Sequence, residues 1–248
     1  MGDVIIVGSG KGGVGKTTVT VNLGHALAEL GKSVIIIDGS LTTPDVSLQL
    51  GVPLHIRGLS HILKEKANIG SASFNHHSGM RIIPGNVHID LLDEFEGRGF
   101  RRLLSKLKRE YDYVLVDSAA GLGREALSAL KNCDKMLVVT NPELASVVNS
   151  SKAIQLAKSF NVKPIGVVIN RIGRFKQELK PDAIAPLLHR VPVLVEIPEH
   201  KKIPISAKNS QTILHKYPRS RISRKFRKLA HRLSRKKKVN FWKRIFKK

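Results

Sequence analysis

After Glu199 the sequence has no acidic residue at all, through to Lys248. It has one cysteine, Cys133. That excludes an intramolecular disulfide framework and, within one chain, a four-cysteine metal or iron–sulfur site. No apolar run approaches the ~18–20 residues a spanning helix needs. The N-terminus has no charged region ahead of an apolar core, so no secretory signal is expected. Ile6 breaks the myristoylation pattern that would follow Gly2. Together these absences point to a reduced, cytoplasmic protein.

What is present is positive charge. Lys and Arg number 43 against 19 Asp and Glu, a net charge of +24, so an anionic partner is expected: nucleotide, nucleic acid or lipid. The excess is uneven. Residues 219–248 hold 15 Lys or Arg, which leaves 28 basic against 19 acidic residues in 1–218. This is the sharpest compositional boundary in the chain and predicts a domain of 1–218 followed by a basic segment, 219–248. With 248 residues, 42% of them hydrophobic, the chain can bury a sizeable core without a disulfide or metal staple.

Short Val/Ile/Leu runs predict strands at 4–7, 33–37, 80–83, 113–116, 135–139, 165–169 and 193–197. Helical patterns fall between them at 17–30, with Gly31 as its C-cap, and at 100–110, 124–131, 143–160 and 182–189. Residues 64–79 have weak periodicity and stay unassigned, and no internal repeat is visible. Alternating strands and helices predict an α/β fold, a mostly parallel twisted sheet with helices on both faces. Asp38, Asp117, Asn141 and Asn170 follow strand ends, where open α/β sheets bind ligands.

The strongest motif is Gly10-Lys11-Gly12-Gly13-Val14-Gly15-Lys16-Thr17, which fits G-x-x-x-x-G-K-[ST] between a strand and a helix. Glycines let backbone N–H groups curl around phosphate, and the helix N-terminus adds its dipole. Lys16 is expected on the β and γ phosphates and the Thr17 hydroxyl on Mg²⁺. Lys11 is a second cation inside the loop.

With Thr18 added, this loop resembles the deviant Walker A motif of the ParA/MinD ATPases, within the SIMIBI class of P-loop NTPases. Further stretches are similar to the MinD branch, archaeal members included. They are Asp38 to Asp45, Val116-Asp117-Ser118-Ala119-Ala120-Gly121, Thr140-Asn141-Pro142-Glu143, and Asn170-Arg171 paired with Ile197-Pro198-Glu199. The resemblance implies an ATPase that uses ATP and Mg²⁺. It implies that Lys11 crosses the interface of an ATP-sandwiched homodimer, and that Thr17, Asp38 and Asp117 serve the metal. Gly10 to Thr18 would cradle the phosphates. Asn170 and Arg171 would meet adenine, with Pro198 and Glu199 closing that pocket. One departure stands out: Ser40 occupies a position where the family usually has a second Asp that positions the attacking water. A serine cannot supply that anionic acceptor, so slow turnover is expected. Asp45 replaces an expected Asn.

In the basic segment, Ile222, Phe226, Leu229, Ala230 and Leu233 fall at helical spacing and predict a last helix packed on the domain. Residues 235–238 read as a solvated basic hinge. Beyond it Phe241, Trp242, Ile245 and Phe246 share a helical face, with Lys243, Arg244, Lys247 and Lys248 away from it, the pattern of an interfacial helix on anionic lipid. It resembles the membrane-targeting tail of MinD. The expected partners are a second copy of the chain, anionic membrane lipids on the inner face of the cell membrane, and a regulatory or cargo protein. DNA is the rival anion, disfavoured because the apolar residues form a stripe. Two alternatives accompany the MinD-like switch: a ParA-like DNA-partitioning ATPase, and a nucleotide-locked membrane scaffold with negligible hydrolysis.

Overall fold

The apolar strand runs assemble as continuous buried strands. In a computed structural model, residues 1–40, 44–53, 57–64, 66–85 and 98–245 are described, with side chains as far as residue 234. The strands are β1 (Asp3–Gly8), β2 (Val34–Gly39), β3 (Phe74–Asn75), β4 (Arg81–Ile83), β5 (Tyr113–Ser118), β6 (Lys135–Thr140), β7 (Lys163–Ile172) and β8 (Val193–Pro198). They form one sheet in the order β3-β4-β2-β5-β1-β6-β7-β8. Every pairing is parallel except β3 with β4. The sheet is therefore the mostly parallel one expected. The two-residue β3 lies in the unassigned 64–79 stretch.

Both faces of the sheet are dry. Val4, Ile6, Ile35, Ile37, Val114 and Val116 point into one core, and Ile5, Val7, Val34, Ile36, Tyr113 and Leu115 into the other. Alternate residues face opposite sides, so a strand buried twice needs apolar residues at every position. The first core is closed by α3 (Leu59–Leu63), α4 (Arg98–Glu110), α5 (Arg124–Lys131), α6 (Leu144–Ser159) and α7 (Pro181–Leu187). The second is closed by α1 (Lys16–Glu29), α2 (Asp45–Leu50), α9 (Ile213–Lys216) and α10 (Arg221–Ile245), with α8 (Lys202–Lys208) against α2 and α9. Helix α1 is buried on most of its surface because the sheet lies on one side and α10 on the other.

Helix α10 seats Ile222, Phe226, Leu229, Ala230 and Leu233 in the second core, all nearly inaccessible. Burying the four larger side chains stabilises the seat by about 1.5–3 kcal/mol each, which offsets the crowding of like charges on the same helix. The backbone stays helical through 235–238, where the sequence suggested a hinge. The reason is compositional: Arg and Lys are good helix formers, and no Gly or Pro interrupts α10. The side chains of Phe241, Trp242 and Ile245, and residue Phe246 as a whole, lie outside the described residues, as do Leu41, Thr42 and Thr43. Among the described residues no helix is long and apolar enough to cross a membrane.

Candidate active site

The parallel order brings three strand ends together. β5 lies between β2 and β1, and Asp38 and Asp117 are register partners on β2 and β5. The phosphate loop leaves β1 beside them. Gly13 and Gly15 take the left-handed backbone, φ +73° and +95°, and Gly15 caps α1. A side chain at Gly15 would also run into the Asn170 amide. Asn170 is buried at the end of β7 and donates from Nδ2 to the Val14 carbonyl at 2.8 Å, so it braces the loop from the far side. Ser9 Oγ donates to the Lys11 carbonyl at 2.7 Å.

An open cleft of about 410 Å³ lies over the loop. Gly13, Gly15, Lys16, Thr17 and Thr18 form its floor, Ser40 and Asp117 one wall, and Asp45, Leu48 and Gln49 of α2 another, with Arg171 at the rim. Its charges are poised against burial. Asp117 is 2% exposed, accepts from Thr17 Oγ1 at 2.7 Å and from Thr20 Oγ1 at 2.8 Å, and is still pushed up to about 6 by desolvation. Asp38 is fully buried and accepts from the Ser40 and Val46 backbone N–H groups at 3.2 and 3.0 Å. Burial, reinforced by Asp117, holds its carboxyl well above the ordinary range. Burial also lowers Lys16, against the pull of Asp117 and Asp45.

The Asp117 carboxylate and the Thr17 hydroxyl both face the cleft and are oxygen donors that fit Mg²⁺, whereas Asp38 is fully buried and absent from the cleft lining. A divalent cation there would favour the charged carboxylates and relieve the cost of burying them. The left-handed glycines and the buried Lys16 fit a polyphosphate. Thr17 and Asp117 would hold the ion from the cleft side, and Asp38 lies on the neighbouring strand as the register partner of Asp117.

The other expected residues fall in different places. Lys11 is absent from the cleft lining. It is half-exposed, and its Nζ donates to Glu143 Oε2 at 3.3 Å, in the Thr140-Asn141-Pro142-Glu143 element. Gly10 packs so closely on the α6 backbone at Asn149 that no side chain fits. Gly12 and Val14 complete the turn, with Val14 fully buried. Arg171, with φ +60°, lies 3.7 Å from Glu199 across the β7–β8 edge, and Ile172 pairs with Pro198 there. Ser40 is 4% exposed and faces the cleft. Sequence reasoning missed Thr20, although it lies one turn along α1 from Thr17, and missed α2 as a wall.

Comparison with known proteins agrees with this geometry. The ParA family model, described as "NUBPL iron-transfer P-loop NTPase", matches residues 1–234. The chain belongs to the ParA family of P-loop NTPases. Within that family it is MinD-like. The septum site-determining protein MinD of Thermotoga maritima is 32% identical over 242 residues, covering 94% of this chain and 88% of the relative. The solved structure of Pyrococcus horikoshii MinD, complexed with Mg-ADP, is 33% identical with a TM-score of 0.87, over 94% of this chain and 96% of that one. MinD in the Aquifex aeolicus MinC:MinD complex is 29% identical with a TM-score of 0.83, over 94% and 95%. This chain is thus an ATPase of the MinD/ParA type, a type that uses ATP and Mg²⁺. Cys133, the one cysteine of the sequence, is buried, and desolvation pushes its thiol far up.

Proposed function

We propose that the protein is a MinD-like switch that dimerises around ATP, docks on the inner face of the cell membrane, and there positions or recruits a partner protein, with slow hydrolysis. The observation that carries the reading is the surroundings of the cleft. Lys11 is held only by a solvent-exposed pair with Glu143, an interaction that costs little to break. Leu48 lines the cleft with 58% of its surface exposed, and Leu144 and Val148, beside Glu143, are 61% and 42% exposed. Large apolar residues left bare around a nucleotide cleft fit a second copy of the chain. In that dimer Lys11 would turn from Glu143 to the partner's phosphates, and Gly10 to Thr18, Asn170, Arg171, Pro198 and Glu199 would serve the bound nucleotide.

Two C-terminal segments on one dimer bind a surface with avidity, while one binds weakly. Nucleotide-driven dimerisation then becomes membrane recruitment without rearrangement of the tail that carries Phe241, Trp242, Ile245 and Phe246. The partner is read by analogy with the Aquifex MinD, which was solved with MinC. Ser40 favours a second reading, a nucleotide-locked membrane scaffold with negligible turnover, because the buried position that faces the cleft offers a hydroxyl and no carboxylate. Light scattering tests the dimer. In Mg-ATP the mass should be twice 27.4 kDa, in Mg-ADP it should be single, and Lys11→Ala should remain single in both. A mass indifferent to nucleotide would remove the switch.

A further inference from the structure

Helix α10 has a second feature besides its apolar seat. On the side away from Ile222, Phe226, Leu229 and Leu233, an open cleft of about 480 Å³ is lined, among the described residues, by Arg224, Arg227, Lys228, His231 and Arg232. No acid is among the described lining residues, α10 has none anywhere along its length, and the one acid that reaches the cluster among the described residues is Glu29, from α1. Two of the five are pinned. Arg227 donates to both carboxylate oxygens of Glu29, at 2.7 and 2.9 Å, and to the Pro218 carbonyl at 2.6 Å. Arg232 donates to the carbonyl of Leu194 on β8 and, at 3.4 Å, to that of Val193. These bonds hold the walls. Arg224, Lys228 and His231 are exposed and, among the described residues, make no side-chain hydrogen bond or ion pair. They recur at i, i+4 and i+7, so they face the same way.

We propose that this cleft binds the phosphate groups of anionic phospholipids, a membrane contact made by the folded part of the protein in addition to the C-terminal segment. The inference rests on the membrane reading above and adds a site to it. Glu29 compensates Arg227 alone; Arg224 and Lys228 have no acid paired with them among the described residues and are left to meet an anionic partner, beside Arg227 and Arg232 already held in place. Nucleic acid is the lesser fit. Among the described lining residues only His231 carries an aromatic ring, and none is an Asn or Gln, so the stacking and base-edge reading that nucleic acid uses are poorly served. The helix that forms the cleft is also the one that leads into the C-terminal segment.

The test uses the full chain in Mg-ATP, with vesicles of phosphatidylcholine alone and of phosphatidylcholine with phosphatidylglycerol. Arg224→Gln with Lys228→Gln removes two free cations and leaves Arg227, Arg232 and the nucleotide cleft intact. Each cation near an anionic surface strengthens binding about fivefold, so the double variant should bind the phosphatidylglycerol vesicles roughly 25-fold more weakly at low salt. Its fluorescent-ADP affinity and thermal melt should match wild type, which shows that it is folded. Wild-type and variant chains that bind these vesicles equally would overturn the cleft while leaving the C-terminal anchor standing. A variant that loses affinity for duplex DNA but keeps vesicle binding would make the cleft a nucleic-acid site and overturn the proposal. A wild-type chain that ignores both kinds of vesicle would remove the membrane reading itself.

Discussion

The histidines behind the nucleotide site predict acid sensitivity. His25 on α1, His76 and His77 ahead of β4, and His215 on α9 come together. The His76–His77 and His77–His215 ring centroids are 4.0 Å apart, and His25 lies 5.8 Å from His76 and from His77. His25 and His76 are 6% and 7% exposed, while His77 and His215 are exposed. Desolvation, more than the other rings, lowers His25 to about 4 and His76 to about 3, and it lowers His77 as well. Glu29 pulls His25 the other way from 3.7 Å, and Arg227 opposes Glu29. The unfolded chain takes up these protons near pH 6.5, and the folded one does not until pH is much lower. Between those values the unfolded state binds more protons, so stability falls as pH falls.

At 1.36 kcal/mol per unit, each of the two buried rings should remove about 2 kcal/mol by about pH 5. Two such losses are a large part of the roughly 5–15 kcal/mol that holds a domain. Asp38 and Asp117 act in the opposite sense. Their raised pKa values cost stability at neutral pH, and that cost is relieved as they take up protons in acid. The comparison must therefore be a difference. Urea unfolding followed by circular dichroism, at several pH values from about 7.5 to 5, should give a steeper loss for wild type than for His25→Asn/His76→Asn. The carboxylates contribute equally to both curves and cancel. Parallel curves would refute the claim that these rings are buried neutral.

Two further predictions concern the nucleotide site. Gly15→Ala should weaken nucleotide binding at least tenfold, measured by fluorescent-ADP titration, because φ +95° strains any side chain and the new methyl meets the Asn170 amide. Ser40→Asp should raise phosphate release by at least about tenfold, since it restores an anionic acceptor at a buried position facing the cleft. An unchanged rate would show that Ser40 is not what limits turnover.

The sheet was legible because its strands are buried on both faces. Residues 34–37 and 113–116 are unbroken apolar runs, and such runs do not fit a half-solvated strand. The phosphate loop was legible because its glycines are dictated by local geometry. Helix α2 was not, since six residues starting at Pro44-Asp45 give too little periodicity, yet it supplies a wall of the cleft. The basic stretch 235–238 misled in the other direction. Dense charge suggests a solvated hinge, but Lys and Arg keep a helix going unless a breaker intervenes. The histidine cluster had no local signal. His25 and His215 lie on different elements at opposite ends of the chain, and only the packing of α1, α9 and the β3–β4 turn brings them together. The brace from Asn170 to the Val14 carbonyl is hidden for the same reason, being a bond across 156 residues.

The most direct measurement is flotation of the full-length protein with phosphatidylglycerol-containing vesicles, in Mg-ATP and in Mg-ADP. The switch predicts recovery with the vesicles in Mg-ATP and little in Mg-ADP, because two C-terminal segments and two α10 clefts reach the surface together only in the dimer. Equal recovery in both nucleotides would contradict it and leave a constitutively anchored scaffold in its place.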